Sequence, residues 1–456
     1  MSTIASISTA PGIGGIGIIR MSGEKTFEIL EKIFKPKTEQ KIEDIKGYTI
    51  KYGHIIENKE IIDEVLVSYF KAPRSYTTEN MCEINSHGGN IIVKKILEMC
   101  LKNGAELAEP GEFTKRAFLN GRIDLAQAES VIDVINAKSD KEAKSGIKQL
   151  EGYLSSEIKG IKQEILDVLV NIEVTIDYPE YDTPEVQEQE IKQMLESVGN
   201  KLEKLEKSFD NGKIIKDGIK TAIIGKPNAG KSSLLNAILK EERAIVTDIA
   251  GTTRDTIEEF VTINGIPLNL VDTAGIREAS DEVEKIGVEK SIKQAKDADL
   301  IIAIFDSSKD LTDEDLEILE LIKNKKSIIL LNKSDLNAKI NENDSRFTEI
   351  TDNIIKISAL NKTGIDLLYE KISNMFNLNE INLDNDILIT NIRHKNIISK
   401  SLDNVKKSKE ALEMNLPIDI ITIYIKNILE DLGEITGEVV TEDIINEIFS
   451  KFCLGK

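Results

Sequence analysis

The sequence predicts a multidomain protein of mixed α+β and α/β class, because three kinds of pattern follow one another along its 456 residues. The first segment mixes short strands, turns and helices. A helical pattern follows, and it returns after a segment in which strands and helices alternate. At roughly 100–200 residues per domain, we expect the segments 1–118, 119–214, 215–378 and 379–456.

The first segment carries alternating apolar runs broken by turn signals. Strands are predicted at Tyr48–Tyr52 and Glu64–Phe70, and the spacing over Ile91–Leu101 predicts a helix. This combination indicates a small α+β domain.

Apolar residues then recur at helical spacing. One stripe over Ile147–Ile172 predicts a single long helix, and another over Ile191–Phe209 predicts a second, with Thr183 as N-cap and Pro184 as first helical residue. Helical character returns over 388–451. We therefore expect one discontinuous, all-α helical domain into which an α/β domain is inserted.

The composition excludes several classes of protein. Lys and Arg number 59 against 79 Asp and Glu, a net charge of −20, which disfavours binding of nucleic acid by bulk charge alone. The three cysteines are far apart in the sequence, which excludes a disulfide framework and predicts a cytoplasmic location. No apolar run approaches the ~20 residues of a membrane span, and a signal peptide is not expected.

A phosphate-binding loop opens the α/β segment. The predicted strand Lys220–Ile224 is followed by Gly225–Ser232, which has the pattern G-x-x-x-x-G-K-[ST], and by the predicted helix Ser233–Leu239. The glycines let successive N–H groups face phosphate oxygens. Lys231 supplies charge to the β- and γ-phosphates, and the Ser232 hydroxyl suits Mg²⁺.

Four further elements come in the order that a guanine-nucleotide site requires. Gly251–Asp255 offers hydroxyls to Mg²⁺ and the γ-phosphate, and Asp272–Gly275 offers a carboxylate and a glycine N–H. Asn332–Asp335 separates GTP from ATP, because the Asp335 carboxylate accepts from guanine N1–H and the 2-amino group. Ser358–Ala359 suits guanine O6. These elements predict a Ras-like P-loop GTPase domain whose GTP-binding residues are Asn228, Ala229, Gly230, Lys231, Ser232, Ser233, Thr247, Asp248, Ile249, Ala250, Gly251, Thr252, Thr253, Asp272, Thr273, Ala274, Gly275, Asn332, Lys333, Asp335, Ser358 and Ala359.

The water-positioning group differs from that of small GTPases. Ile276 stands where those enzymes carry a glutamine, so hydrolysis needs another group and another source of positive charge. Arg254 and Arg277 are candidate arginine fingers, and pairing with surface acids is an equally good interpretation of both.

The sequence resembles the MnmE (TrmE) family of tRNA wobble-uridine-modifying GTPases over nearly its whole length. Besides the GTPase elements, the resemblance lies in Ser8–Arg20, Lys71–Tyr76, Glu83–Gly89, Glu109–Glu129 and the tail Phe452–Lys456. The sequence departs from the family pattern only at positions without an expected catalytic role, namely Thr78, Asn80 and Leu454.

The resemblance implies an N-terminal domain folded like the tetrahydrofolate-binding aminomethyltransferases, which also forms a homodimer. It implies that GTP hydrolysis is coupled to the addition of an aminomethyl or carboxymethylaminomethyl group at C5 of uridine 34 in tRNA. The implied partner is the flavoprotein MnmG (GidA), in a heterotetramer, and the one-carbon donor is 5-formyl- or methylene-tetrahydrofolate.

The resemblance also implies residue roles at matching positions. Glu284 corresponds to the catalytic acid that orients water, and Ser232 and Thr253 correspond to the Mg²⁺ ligands. The remaining matches are K⁺ ligands at Asn228, Thr247, Ile249 and Thr252, and folate contacts at Arg20, Glu83, Arg122 and Lys456.

Three alternatives stay open. A ribosome-assembly GTPase would carry the same switch motif, Gly251–Asp255. The sequence, however, shows neither a KH-like module nor a second GTPase domain. Gly12–Gly17 satisfies the dinucleotide pattern G-x-G-x-x-G, yet a strand rather than a helix is expected to follow it. His87 is either a catalytic base or, as we favour, a hydrogen-bonded structural residue.

Overall fold

The computed structural model describes residues 1–38, 45–177, 184–239, 259–270, 297–379 and 387–456. This part of the chain divides into two compact units. The first comprises Met1–Ile132, Lys148–Gly199 and Ile397–Lys456, and the second comprises Asp133–Ile147 and Asn200–Asn396. Among the described residues, no helix is long and apolar enough to cross a membrane.

Strands and helices follow the predicted order of patterns. The strands are β1 (Ile4–Ile7), β2 (Ile16–Ser22), β3 (Phe34–Pro36), β4 (Thr49–Glu57), β5 (Glu60–Phe70), β6 (Met81–His87), β7 (Glu106–Leu107), β8 (Ile219–Ile224), β9 (Glu259–Ile263), β10 (Ile266–Leu270), β11 (Leu300–Asp306), β12 (Ser327–Asn332) and β13 (Ile354–Lys356). The helices are α1 (Thr26–Ile33), α2 (Asn90–Lys102), α3 (Glu112–Leu119), α4 (Leu125–Asn136), α5 (Asp140–Leu150), α6 (Tyr153–Asp177), α7 (Pro184–Asp217), α8 (Lys231–Leu239), α9 (Asp313–Ile322), α10 (Ser345–Thr348), α11 (Ile365–Met375), α12 (Ile392–Glu413), α13 (Ile418–Thr436) and α14 (Glu442–Ser450). The multidomain α+β and α/β class is confirmed.

The first unit contains a seven-stranded sheet in the order β3-β4-β5-β6-β2-β1-β7. Ile19, Val67 and Ile84 point to one face of the sheet, where they form a hydrophobic core with buried residues of α1 and α2. Because side chains alternate along a strand, their neighbours Arg20 and Glu83 point to the opposite face. The register of β2 and β6 sets these two residues directly across from each other.

The long helix predicted from Ile147 is wrong in one respect, because the structure has two helices there. α5 ends at Leu150 and α6 begins at Tyr153, and Gly152 between them has a φ of 88°. That conformation suits glycine and cannot continue an α-helix. Consequently Ile147 is 45% exposed, and the buried stripe begins only with α6.

The helical part of the first unit is built on α6 and α13. Lys162 forms an ion pair with Glu438, just beyond the end of α13, and Glu173 forms one with Lys426 at 3.1 Å. The two helices therefore run antiparallel. The apolar stripe of α6 is buried as predicted, at Leu154, Ile158, Ile161, Ile165, Leu169 and Ile172.

The second unit contains a six-stranded sheet in the order β13-β12-β11-β8-β10-β9. All neighbouring strands are parallel except β9 and β10, which form an antiparallel hairpin. The predicted alternation of strands and helices is confirmed. In such a sheet, ligands bind beyond the carboxyl ends of the strands, and the loops that leave β8, β11 and β12 start there. Pro184 begins α7 as predicted, whereas Thr183 lies outside the described residues.

A buried carboxyl group lies at the start of α5, within the second unit. Glu142 is 7% exposed, and its Oε2 accepts a hydrogen bond from the Lys138 N–H at 2.6 Å. Lys216 forms an ion pair with Asp133 nearby, at 2.8 Å. Burial outweighs the effects of Lys138 and Lys216, and with the negative charge of Asp133 it raises the pKa of Glu142 to about 7.

Glu142→Gln should flatten the dependence of stability on pH. The pKa of Glu142 is raised from 4.5 to about 7 on folding, so the folded state binds the proton more tightly. Its contribution to stability is complete below about pH 4.5 and is lost as the pH rises to about 7. From about pH 5 to about pH 8, the free energy of unfolding should fall in wild type and in the variant by different amounts. The fall in the variant should be smaller, and the difference between the two should be on the order of 3 kcal/mol.

Urea unfolding at the two pH values measures this difference. Glu320→Gln is the matched control, since Glu320 is 75% exposed and its substitution should leave the pH dependence as in wild type. An equal pH dependence in Glu142→Gln and wild type would contradict the prediction.

Candidate functional site

The phosphate-binding loop connects β8 to α8 in the second unit. Asn228 and Gly230 both adopt positive φ angles, 60° and 108°. The Lys231 Nζ donates hydrogen bonds to the carbonyl oxygens of Gly225, at 2.6 Å, and Lys226, at 2.9 Å. Burial lowers the pKa of Lys231. Lys231 is therefore bonded only to neutral carbonyl oxygens in these contacts. It can turn to a phosphate without breaking an ion pair there.

Two glycines of this loop have no room for a side chain. A Cβ at Gly225 would lie 2.5 Å from the carbonyl oxygen of Ile304 on β11. A Cβ at Gly230 would overlap the side-chain nitrogen of Asn332 on β12. The pattern needs glycine at both positions because the neighbouring strands approach the loop backbone directly.

Asn332 connects three of the predicted elements. Its Nδ2 donates to the carbonyl oxygen of Ala229 in the phosphate-binding loop at 2.8 Å, and its Oδ1 accepts from the N–H of Ala359 at 3.0 Å. Asn332 is 3% exposed, and both polar atoms of its side chain hold these elements together.

Asp335 is the solvent-exposed carboxylate next to the elements that Asn332 connects. The Ser358 hydroxyl donates to its Oδ1 at 2.5 Å, and Ser358 Oγ in turn accepts from the N–H of Asn361 at 3.2 Å. The residue itself is exposed. A carboxylate that is fixed by a neighbouring hydroxyl and open to solvent is suited to accept hydrogen bonds from a ligand's N–H groups.

Lys333 forms an ion pair with an aspartate that lies outside the sequence motifs. Its Nζ lies 2.6 Å from Asp306 Oδ2, and Asp306 also accepts from the N–H and hydroxyl of Ser308. Although burial opposes it, hydrogen bonding to Lys333 and Ser308 lowers the pKa of Asp306. Asp306 is the first charged residue after the apolar run of β11, but nothing in the sequence pairs it with Lys333.

Part of the predicted GTP site lies outside the described residues. This applies to the segment 247–253, to 272–275, and to Glu284, Ile276, Arg254 and Arg277. Of the predicted metal ligands, only Asn228 and Ser232 are described. The described elements of the site converge as the motif order predicts.

A second candidate site lies on the face of the seven-stranded sheet opposite to α1 and α2. Arg20 donates to Glu83 Oε1 through Nε at 2.9 Å and Nη2 at 2.7 Å, and its Nη1 donates to the carbonyl oxygen of Gly455 at 3.2 Å. The guanidinium also lies 5.7 Å from the ring centre of Tyr76 and 5.6 Å from that of Phe113.

The other two predicted folate residues contact the same two aromatic residues, Arg122 through its side chain and Lys456 through its main chain. The Arg122 guanidinium lies 4.8 Å from the ring centre of Tyr76 and donates to the carbonyl oxygen of that residue at 3.1 Å. The Lys456 carbonyl oxygen accepts from the N–H of Phe113 at 3.2 Å. The structure thus gathers all four predicted positions around two aromatic side chains.

The chain's last residues are built into this site. Gly455 has a φ of 84° and packs on the backbone of Ile7 and Ser8, and its carbonyl oxygen also accepts from the Ser8 hydroxyl at 3.0 Å. Phe452 is buried among aromatic residues of the first unit. Sequence reasoning found the tail only through the family resemblance.

His87 and the glycine-rich segment before β2 have structural explanations. β2 begins at Ile16, within Gly12–Gly17, so a strand stands where a dinucleotide site requires a helix, as expected. His87 Nδ1 lies 2.6 Å from Asp63 Oδ1, and this hydrogen bond raises the pKa of His87. The interpretation of His87 as a hydrogen-bonded residue agrees with this contact.

Comparisons with known proteins cover the whole chain. The family model of the TrmE N-terminus, described as a GTP-binding protein, matches residues 3–122, and that of the MnmE helical domain matches residues 125–453. The tRNA modification GTPase MnmE of Clostridioides difficile is 51% identical over 100% of this chain and 99% of its own. That of Lactococcus lactis subsp. lactis is 50% identical over 100% and 98%.

A solved structure is similar to part of the chain. The crystal structure of a variant of Aquifex aeolicus Era bound to GDP.AlF4- is 30% identical over 40% of this chain and 65% of that chain, with a TM-score of 0.27. Family membership therefore rests on the sequence matches, which extend through the N-terminal and helical segments. With half of all residues identical to curated relatives over their full length, this chain belongs to the MnmE family of tRNA modification GTPases.

Proposed function

We propose that this GTPase is the GTP-hydrolysing subunit of a complex that adds a carboxymethylaminomethyl or aminomethyl group at C5 of the wobble uridine, U34, of tRNA. It acts as a homodimer within a heterotetramer with the flavoprotein MnmG (GidA). The proposed domains are 1–118 for folate binding and dimerisation, 119–214 and 379–456 for the helical domain, and 215–378 for GTP hydrolysis. The complex works in the cytoplasm, where its tRNA and GTP are found.

The observation that carries the one-carbon part of the proposal is the Arg20–Glu83 pair beside Tyr76 and Phe113. A pterin is flat and presents an N–H edge, so it needs aromatic contacts and a carboxylate acceptor. Glu83 is partly exposed, at 23%, and supplies the carboxylate. Arg122 is exposed and suits the glutamate carboxylates of 5-formyl- or methylene-tetrahydrofolate.

The GTP part rests on the phosphate-binding loop. Mg²⁺ fits the hydroxyls of Ser232 and Thr253, and it would neutralise charge on the β- and γ-phosphates. K⁺ fits the side chain of Asn228, which is exposed on the loop and holds a positive φ, together with Thr247, Ile249 and Thr252. In the proposal Glu284 orients the attacking water in place of the glutamine that the sequence lacks.

Arg20→Ala, Glu83→Ala and Arg122→Ala should each reduce tRNA modification by about 10²-fold or more, because they remove contacts that orient the one-carbon donor. Their kcat for GTP should stay within about twofold of wild type, since these residues and the phosphate-binding loop belong to different units. The measurement is nucleoside analysis of digested tRNA after reaction with GTP, K⁺, folate donor and the flavoprotein.

Arg346→Ala is the matched control, because Arg346 also pairs with a carboxylate, that of Asp344 at 2.6 Å, but in the second unit. It should leave modification unchanged. Full modification by the three variants would refute the folate site. Modified wobble uridine in a reaction without the flavoprotein would refute the proposed partnership.

A further inference from the structure

The first variable residue of the phosphate-binding loop is tied to a neighbouring helix. Lys226 Nζ donates to Thr312 Oγ1 at 2.7 Å and lies 2.5 Å from Asp315 Oδ2. Thr312 precedes α9, and Asp315 lies in its first turn. The contact therefore joins the loop after β8 to the helix after β11.

Asp315 is a buried carboxylate, and its charge needs a cation nearby. It is 3% exposed, and its Oδ2 also accepts from the N–H of Thr312 at 2.9 Å and from the Thr312 hydroxyl at 3.1 Å. The bond from the Thr312 N–H is one half of the capping box of α9. A capping box alone can use a neutral acceptor. A buried carboxylate, in contrast, is costly unless a cation pairs with it, and Lys226 is the cation within ion-pair distance.

The backbone of Lys226 holds the other side of the loop. Its carbonyl oxygen accepts from Lys231 Nζ at 2.9 Å and from the N–H of Ala229 at 3.2 Å. The Lys226 side chain thus contacts the start of α9, while the Lys226 carbonyl oxygen accepts a hydrogen bond from the phosphate-binding Lys231. Between Gly225 and Gly230, whose backbones are intrinsically permissive, Lys226 fixes the loop to a rigid element.

We propose that Lys226 is a positioning residue for the phosphate-binding loop, and that its ion pair with Asp315 sets the loop conformation that receives the phosphates of GTP. The loop N–H groups bind phosphate well only if they already point to it, because ordering them on binding would reduce affinity. A purely structural role for the ion pair would stabilise α9 and leave nucleotide affinity unchanged.

Lys226→Ala should weaken GTP and GDP binding about tenfold, the scale expected when a binding loop loses its preorganisation. Lys226→Arg should restore affinity to within about twofold of wild type, because it keeps a cation on a long stem. Asp315→Asn should weaken binding as Lys226→Ala does, although asparagine can still accept from Thr312 N–H and cap the helix. Equilibrium titration with fluorescent GTP and GDP measures these affinities in the full-length protein.

A double-mutant cycle separates the two interpretations. If the pair acts as a unit, Lys226→Ala combined with Asp315→Asn should bind no more weakly than either single variant. Lys339→Ala is the control, because Lys339 forms an exposed ion pair with Asp310 at 2.8 Å in the loop before the same helix, and it should bind GTP as wild type does. Melting temperatures are recorded in parallel, without nucleotide.

Unchanged GTP affinity in Lys226→Ala, with a lowered melting temperature, would overturn the proposal and leave only a structural role. Additive losses in the double variant would overturn it as well, since each residue would then act separately. If Lys226→Ala does not fold, Asp315→Asn provides the same test, because it retains the helix cap and removes only the charge.

Discussion

Asp335→Asn should lose GTP and gain xanthosine triphosphate. The Asp335 carboxylate is exposed and fixed by the Ser358 hydroxyl, so its free acceptor sites suit guanine N1–H and the 2-amino group. Asparagine offers an N–H donor in their place, which suits the C2 carbonyl of xanthine. Sites that lose a buried hydrogen-bond match discriminate by on the order of 10⁴-fold, and we expect a loss of GTP affinity on that scale.

Competition binding with the two triphosphates measures this exchange. Asp344→Asn is the matched control, because Asp344 is also an acceptor in the second unit but pairs with Arg346 on the surface. It should keep the preference for GTP. Retained GTP affinity in Asp335→Asn would mean that the base binds elsewhere.

Arg116→Ala should destabilise the first unit by roughly 3–5 kcal/mol, the usual result of removing one partner from a buried ionic cluster. The Arg116 side chain is 4% exposed and contacts two carboxylates, Glu79 at 3.1 Å and Glu112 at 2.7 Å. It also donates to the Ser2 carbonyl oxygen at 2.8 Å. Alanine would leave both carboxylates without this cation in a poorly hydrated site.

Urea unfolding monitored by circular dichroism measures this loss. Arg346→Ala removes an arginine that pairs with a carboxylate at a similar distance but has a 48% exposed side chain, and such pairs contribute at most about 1 kcal/mol. A loss from Arg116→Ala no larger than that of the control would show that the cluster is hydrated and weak.

Each described element of the predicted GTP site is local in the chain, so the sequence could indicate where it lies. The loop 225–232 follows β8, the residues Asn332–Asp335 start at the last residue of β12, and the pair Ser358–Ala359 lies just after β13. The carboxyl ends of parallel strands meet at one edge of a sheet, so local order along the chain was enough to bring these elements together.

The pairs Lys333–Asp306 and Lys226–Asp315 could not be predicted in the same way. Each joins loops after different strands, and nothing in the spacing of charged residues indicates which lysine meets which acid. Side-chain pairing across a sheet edge depends on how far the neighbouring loops rise above it, which is a property of the fold as a whole.

The break between α5 and α6 was missed for a different physical reason. Leu150 and Leu154 are four residues apart, so the apolar period passes through the break without a change. The apolar period indicates which side of a helix is buried, but it does not indicate where the helix ends. Gly152 allows the positive φ angle at which the helix breaks. Of the two signals, only the glycine indicated the end of α5.

The contact between Arg20 and Gly455 also has a consequence for biosynthesis. The two residues are 435 positions apart in the chain. At roughly 5–20 residues per second, the ribosome makes Gly455 on the order of 20–90 s after Arg20. Until then the strands of the seven-stranded sheet can pair, but Arg20 lacks its hydrogen bond to the Gly455 carbonyl oxygen. A nascent chain therefore completes its GTPase segment before the contact between Arg20 and the tail can form.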